Sequence, residues 1–271
     1  MAVVGPPALV LLCVALAAPA FAFVARAKHT VVVRKTAQGA VSATCPRGEH
    51  ASFGGVVAQF SAPPGSGAYM FPTGMRRTAN DRWTVYGKNE SDLVGSRLTS
   101  IAYCDHGAVP RVASKTVSLP GLRSGSVIAT CPAGTFVVGG GFNSGAAPKH
   151  LAALAHLNRL SPTQWIVTMI NLFPAATTIT AIAYCSASTA ITTVSNILKV
   201  APRRSGTVRV SCPAGLSLVF GGLLASSAAS AGHLAFALPF SWNAASNTQW
   251  VVSGYNIGDR PAYLTAIGYC R

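Results

Sequence analysis

The sequence predicts an all-β protein of three tandem, disulfide-stapled antiparallel repeats, each of about five strands, packed around a pseudo-threefold axis. Three observations lead there. A Cys-Pro-x-Gly turn, a glycine pair, a tryptophan and a closing Tyr-Cys occur three times, from Cys45 to Cys104, Cys131 to Cys185 and Cys212 to Cys270. The offsets agree: the glycine pair begins nine residues after each first cysteine (Gly54, Gly140, Gly221), and an asparagine follows each of Trp83, Trp165 and Trp250 by six (Asn89, Asn171, Asn256). Agreement at so many offsets marks one supersecondary unit in triplicate. The links from Cys104 to Cys131 and from Cys185 to Cys212 are both 27 residues and carry β-branched runs. Constant, strand-bearing links predict close packing of the copies rather than beads on a string.

Each element follows from local chemistry. The Thr-Val-Val-Val run within 29–35 reads as a first strand, with counterparts at 115–119 and 197–201. A turn and a second strand lead into each first cysteine. The proline after it cannot donate to a ladder, so the strand ends there and x-Gly closes a turn. A third strand runs into the glycine pair, which marks a bulge or a place where something bulky needs room. The segment that follows varies most, at 28, 24 and 28 residues from the second glycine to the tryptophan, and each holds a short apolar run read as strand. In the tryptophan strand, Trp83, Val85, Gly87 and Asn89 share a face. In the closing strand the cysteine face is small two and four residues back: Ala102 and Ser100, Ala183 and Ala181, Gly268 and Ala266. Small residues beside a half-cystine leave a hollow, and the expected filler is the copy's own tryptophan packed on its disulfide. An immunoglobulin fold would place tryptophan soon after the first cysteine; here it follows by 38, 34 and 38 residues, which excludes that fold.

Composition sets the compartment. Half of the 271 residues are hydrophobic and a tenth are charged. The apolar run from Ala8 to Ala22 ends in Ala20-Phe21-Ala22, a small-x-small cleavage pattern, so residues 1–22 read as a signal peptide. The rival, an uncleaved anchor over Val3 to Val24, is opposed by Pro6, Pro7 and Pro19. The repeats then occupy 29–110, 111–192 and 193–271, with no transmembrane span after cleavage. Cys13 leaves with the signal, and six cysteines remain, two per repeat. Without short Cys-x-x-Cys pairs, disulfides are the better reading than zinc, and they imply an oxidising, extracellular or envelope compartment. Two connectivities respect the repeat: Cys45–Cys104, Cys131–Cys185 and Cys212–Cys270, or Cys104–Cys131, Cys185–Cys212 and Cys45–Cys270. The first is preferred because each unit then carries its own staple, worth about 4 kcal/mol in the chain-entropy model.

The run Cys-Pro-x-Gly, Gly-Gly-(Gly)-Phe, Trp-x-Val-x-x-x-Asn and Ile-(Ala/Gly)-Tyr-Cys resembles uncharacterised secreted proteins of high-GC, actinobacterial-type bacteria with one to several such copies. The resemblance covers about 29–271. Gly139-Gly140-Gly141-Phe142 and Thr180 to Cys185 fit it best, while Val56 and Leu223 stand where phenylalanine is expected. It implies no activity. A looser likeness to the vitelline membrane outer layer protein, with its Cys-Pro-x-Gly starts, implies a β-prism as architecture only.

Candidate chemistry is sparse. The six carboxylates are Glu49, Asp81, Glu90, Asp92, Asp105 and Asp259, so the second copy has none. A glycosidase needs two carboxyl groups within roughly 5–9.5 Å, which leaves Asp81, Glu90 and Asp92 as the basis of an alternative reading as a secreted hydrolase. No nucleophile elbow, metalloprotease motif or phosphate loop occurs, and no catalytic residue, metal or cofactor is assigned. His150, His156 and His233 make a weak metal set, and His50 and His106, beside cysteines, read as surface residues. Asn89, Asn171 and Asn256 read as groups that satisfy backbone at a strand end, rather than as ligands for a sugar hydroxyl.

The charge has functional content: +15 net, with doublets at Arg34-Lys35, Arg76-Arg77 and Arg203-Arg204. Such a field attracts polyanions. Doublets without interleaved aromatics argue against specific nucleic-acid reading. The expected function is therefore a secreted or envelope binding module for an anionic cell-wall polymer or polysaccharide, through Arg76, Arg77, Arg203, Arg204 and the variable loops. A purely structural surface protein is the further alternative.

Overall fold

The computed structural model describes residues 25–58, 70–145, 152–187, 191–230 and 233–271, with only the backbone described for 227–230 and 233–235. The expected signal peptide, Cys13 and His150 lie outside the described residues, as does the stretch 59–69 of the first variable segment. The first repeat contributes β1 (Ala25–Val33), β2 (Gln38–Thr44), β3 (His50–Ala58), β4 (Met70–Ala79), β5 (Arg82–Asn89) and β6 (Ser96–Asp105). The second contributes β7 (Arg111–Leu119), β8 (Ser124–Thr130), β9 (Phe136–Ser144), β10 (Ala152–Ser161), β11 (Gln164–Asn171) and β12 (Thr177–Ser186). The third contributes β13 (Thr192–Val200), β14 (Ser205–Ser211), β15 (Leu218–Ala225), the short β16 (Ser227–Ser230), β17 (His233–Ala244), β18 (Gln249–Asn256) and β19 (Ala262–Cys270). The common unit thus has six strands, not five. The apolar run inside each variable segment belongs to a full strand (β4, β10, β17), as expected.

No repeat keeps its strands together. The three sheets run β1-β6-β3-β17-β18-β14, β2-β5-β4-β9-β12-β7 and β13-β19-β15-β10-β11-β8, with every pair antiparallel. The first, third and sixth strands of a repeat enter one sheet, and its second, fourth and fifth enter the next. Each sheet is therefore half one repeat and half another, and the three repeats interlock in a ring as a prism. Off the path of the first sheet, β16 pairs with β17.

The disulfides join Cys45 to Cys104, Cys131 to Cys185 and Cys212 to Cys270, each with a Cα–Cα distance of 5.7 Å. Since Cys45 follows β2 and Cys104 lies in β6, the bridge within a repeat is a bridge between two sheets. Three disulfides, and no helix among the described residues long and apolar enough to cross a membrane, are consistent with an extracellular protein.

The tryptophans cross the same gap. Trp83, Trp165 and Trp250 are buried, and the first glycine of each pair is their seat. A Cβ on Gly54, Gly140 or Gly221 would stand 2.2, 2.0 or 2.1 Å from the indole. The room that the glycine pair signals in the sequence is room for this ring. The cysteine sits one pair further along: Trp83 opposes Ala43, two residues before Cys45 on the same face.

The second glycine serves the seam between repeats. A Cβ on Gly55, Gly141 or Gly222 would lie 2.7, 2.3 or 2.6 Å from the carbonyl oxygen of Trp242, Met75 or Leu157 on the neighbouring repeat's strand. Each seam is narrow: β3–β17, β9–β4 and β15–β10 pair at two residues apiece. Beyond them the strands part, and the tyrosine of each Tyr-Cys fills in. Tyr103, Tyr184 and Tyr269 accept the backbone N–H groups of Ala244, Arg77 and Arg159 at 2.6, 2.7 and 2.9 Å. Burial raises all three phenols, Tyr184 and Tyr269 to about 12. They stay neutral, and each uses its oxygen to satisfy a donor that the diverging ladder leaves unpaired.

Candidate functional site

The pairing registers define two ends. At the cysteine end lie the Cys-Pro-x-Gly turns, the β4–β5 hairpin, whose Asp81 carbonyl accepts the Cys45 N–H at 2.8 Å, and the links between repeats. At the loop end lie the β1–β2, β7–β8 and β13–β14 turns, the loops after β5, β11 and β18, and the flanks of the variable segments.

Most residues singled out in the sequence belong to the frame. The amide nitrogen of Asn89 donates to the carbonyls of Val33 and Val94, that of Asn171 to Pro120 and Ala175, and that of Asn256 to Val200 and Arg260, all within 2.7–3.2 Å. Their oxygens accept from Ser91, Phe173 and Gly258. Each asparagine latches a loop to the turn beside it, spends both amide N–H groups on backbone carbonyls and is buried away from any ligand.

The arginine doublets divide. Arg77 lies across the β4–β9 seam, its guanidinium 4.9 Å from the Tyr184 ring centre and donating to the carbonyls of Pro110 and Ala51. It is a strap between repeats, which corrects its assignment to polyanion binding. Arg76 points outward, 5.5 Å over Tyr86, beside a shallow groove that Thr73, Asn143 and Ser144 also line. Arg203 and Arg204 are exposed on the β13–β14 turn, where Arg203 adopts φ 55°. Thr36 and Leu122 take the same left-handed conformation in the equivalent turns, which expose Arg34 and Lys35 in one case and Arg123 in the other.

The carboxylates suggested for a hydrolase are split between the ends. Asp81 lies at the cysteine end, whereas Glu90 and Asp92 follow β5 at the loop end, about 25 Å away over an eight-residue strand. Asp81 cannot form a catalytic pair with either. Glu90 is ion-paired with Lys88.

The structure adds a site that the sequence reading did not single out. A cavity of about 310 Å³ opens at the cysteine end, where β3, β9 and β15 begin. Its lining contains two sets of equivalent positions, Ser52, Val138 and Val219, and Asp105, Ser186 and Arg271, so it lies on the pseudo-threefold axis. Repeat 1 and the link after it add His50, Phe53, Gly107, Ala108 and Pro110. His50 is 5% exposed, which corrects its reading as a surface residue. Burial holds its imidazole below the ordinary value; Asp105 opposes that shift, and Arg77 and His106 add to it. His50 Nε2 is 3.4 Å from Ser52 Oγ.

The line Ser52, His50, Asp105 has the order of a nucleophile, base and orienting acid, but its last link is missing. Asp105 Oδ1 accepts the Gly107 N–H at 3.0 Å, and it opposes His50 across the ladder without bonding to the ring. The lining offers hydrogen-bonding groups and both signs of charge beside apolar side chains. Among the described residues no group of three metal-ligating side chains gathers. The one signal in the sequence was that the residue after each closing cysteine differs between copies as acid, hydroxyl and base.

No protein-family model matches the chain, and no curated protein matches it.

Proposed function

We propose that the protein is a secreted, non-catalytic module of the cell envelope that binds an anionic polymer, such as an acidic cell-wall polysaccharide, with its loop end. One observation carries this reading. Three equivalent turns, each held by an asparagine latch, expose Arg34 and Lys35, Arg123, and Arg203 and Arg204 on one end of the prism. Basic groups fixed to a rigid ring give a repeating anion many simultaneous weak contacts, whose sum is large and salt-sensitive. The chain's six carboxylates are too few to neutralise its 21 lysines and arginines.

Retention on isolated cell wall or on an immobilised acidic polysaccharide, followed across a salt gradient, tests it. Elution at low salt after replacing Arg34, Lys35, Arg203 and Arg204 by serine supports the proposal. Retention equal to the parent's after those changes, or retention indifferent to salt, ends it. A secreted hydrolase remains the second reading, reduced to Glu90 and Asp92, and turnover lost in Asp92→Asn would favour it.

A further inference from the structure

We infer that the axial cavity at the cysteine end is a separate binding site for a small zwitterion of amino-acid type. The frame around it is threefold: each closing strand ends in Tyr-Cys, with the cysteine bonded back to its own repeat. The residue that follows breaks the symmetry, as Asp105 in one repeat, Ser186 in the next and Arg271 in the third. Equivalent positions around an axis stand on different walls, so the acid and the base are held apart across the opening.

A simple anion would meet Asp105, and a simple cation would meet Arg271. A molecule carrying a carboxylate and an ammonium matches both, and charge-assisted hydrogen bonds offset the loss of water from each. The remaining lining suits the rest of such a molecule. Phe53, Val138 and Val219 form an apolar floor for a side chain. The buried imidazole of His50 and the Ser52 hydroxyl supply uncharged donors and acceptors. At about 310 Å³ the cavity is at the small end of the roughly 300–1,000 Å³ range of ligand sites.

Isothermal titration calorimetry of the disulfide-intact chain tests this against the twenty amino acids, with N-acetyl-L-leucine, L-leucinamide and glucose as comparators. An apolar amino acid such as leucine is expected to bind. Removing either of its charges should weaken binding about tenfold or more, equivalent to about 1.4 kcal/mol. Asp105→Asn should erase the preference for leucine over N-acetyl-leucine, and Arg271→Gln the preference over leucinamide. If either variant fails to fold, Ser186→Trp, which fills the opening without altering a charge, must abolish binding instead. Three results overturn the inference: no amino acid bound at about 10 mM, glucose bound more tightly than any amino acid, or charge preferences unchanged in both variants. Salt-dependent retention on polysaccharide should be unaffected by Asp105→Asn, so the two proposals fail independently.

Discussion

The first repeat and the other two solve the same packing problem with different degrees of satisfaction. Trp165 and Trp250 donate their indole N–H to the carbonyls of Gly141 and Gly222 at 3.2 and 3.0 Å. Trp83, equally buried, has no acceptor among the described residues; its Nε1 is the ring atom directly over Gly54. The same repeat holds Glu49, Asp81, Glu90, Asp92 and Asp105, five of the chain's six carboxylates, and it supplies most of the axial cavity. Glu49 also keeps one carboxylate oxygen buried with no hydrogen bond among the described residues, while its other oxygen faces His106 at 3.5 Å. Burying an indole in a fitted seat outweighs one missing hydrogen bond by a few kcal/mol. The frame therefore tolerates an irregular copy, and the irregular copy is where polar chemistry has collected.

Four measurements would sharpen or break that comparison. Replacing both cysteines of one bridge by serine should cost about 2–5 kcal/mol in urea unfolding under oxidising conditions. The cost should be nearly equal for the three repeats, because the bridged separations are 59, 54 and 58 residues. Next come Gly54→Ala, Gly140→Ala and Gly221→Ala. Each forces a methyl into a ring it cannot clear, and each should lose about 3 kcal/mol. A copy that accepted alanine without loss would show that its indole seat is not shared.

Trp→Phe separates the copies. Trp165→Phe and Trp250→Phe leave a glycine carbonyl without its donor, so each should cost about 1 kcal/mol more than Trp83→Phe. Equal costs at all three would erase the distinction drawn between repeats.

The smallest effect is on pH dependence. Burial lowers both His50, in repeat 1, and His156, in repeat 2, so the unfolded chain takes up protons at higher pH than the native one. Their contribution is present above the unfolded value of 6.5 and is lost as pH falls through it toward the lower native value. Stability should decline between about pH 7 and 5, and His50→Gln and His156→Gln should each flatten part of that slope. An unchanged slope in His50→Gln would place that imidazole in water rather than in the cavity wall.

Much of this was legible from residue spacing. The triplication, the pairing of cysteines within copies, the use of glycine where a ring needs room, and the role of Asn89, Asn171 and Asn256 all depend on chemistry within one repeat. The tyrosines were visible as part of the motif but not as seam hydrogen-bond acceptors, because their partners, Ala244, Arg77 and Arg159, belong to the neighbouring repeat. Arg77 was misread for the same reason: a basic doublet looks alike whether it faces water or crosses a seam.

By itself, then, the sequence determined a threefold, cross-linked β unit and its extended strands, since alternation, turn residues and repeat offsets are local quantities. Only the tertiary structure decided that each unit divides its strands between two sheets, so that every sheet is shared by two repeats. The physical reason is that a strand's edge hydrogen bonds are satisfied equally by any partner of matching register. Which partner it takes is set by packing across the whole molecule, and the same choice brought His50, Asp105 and Arg271 to one cavity.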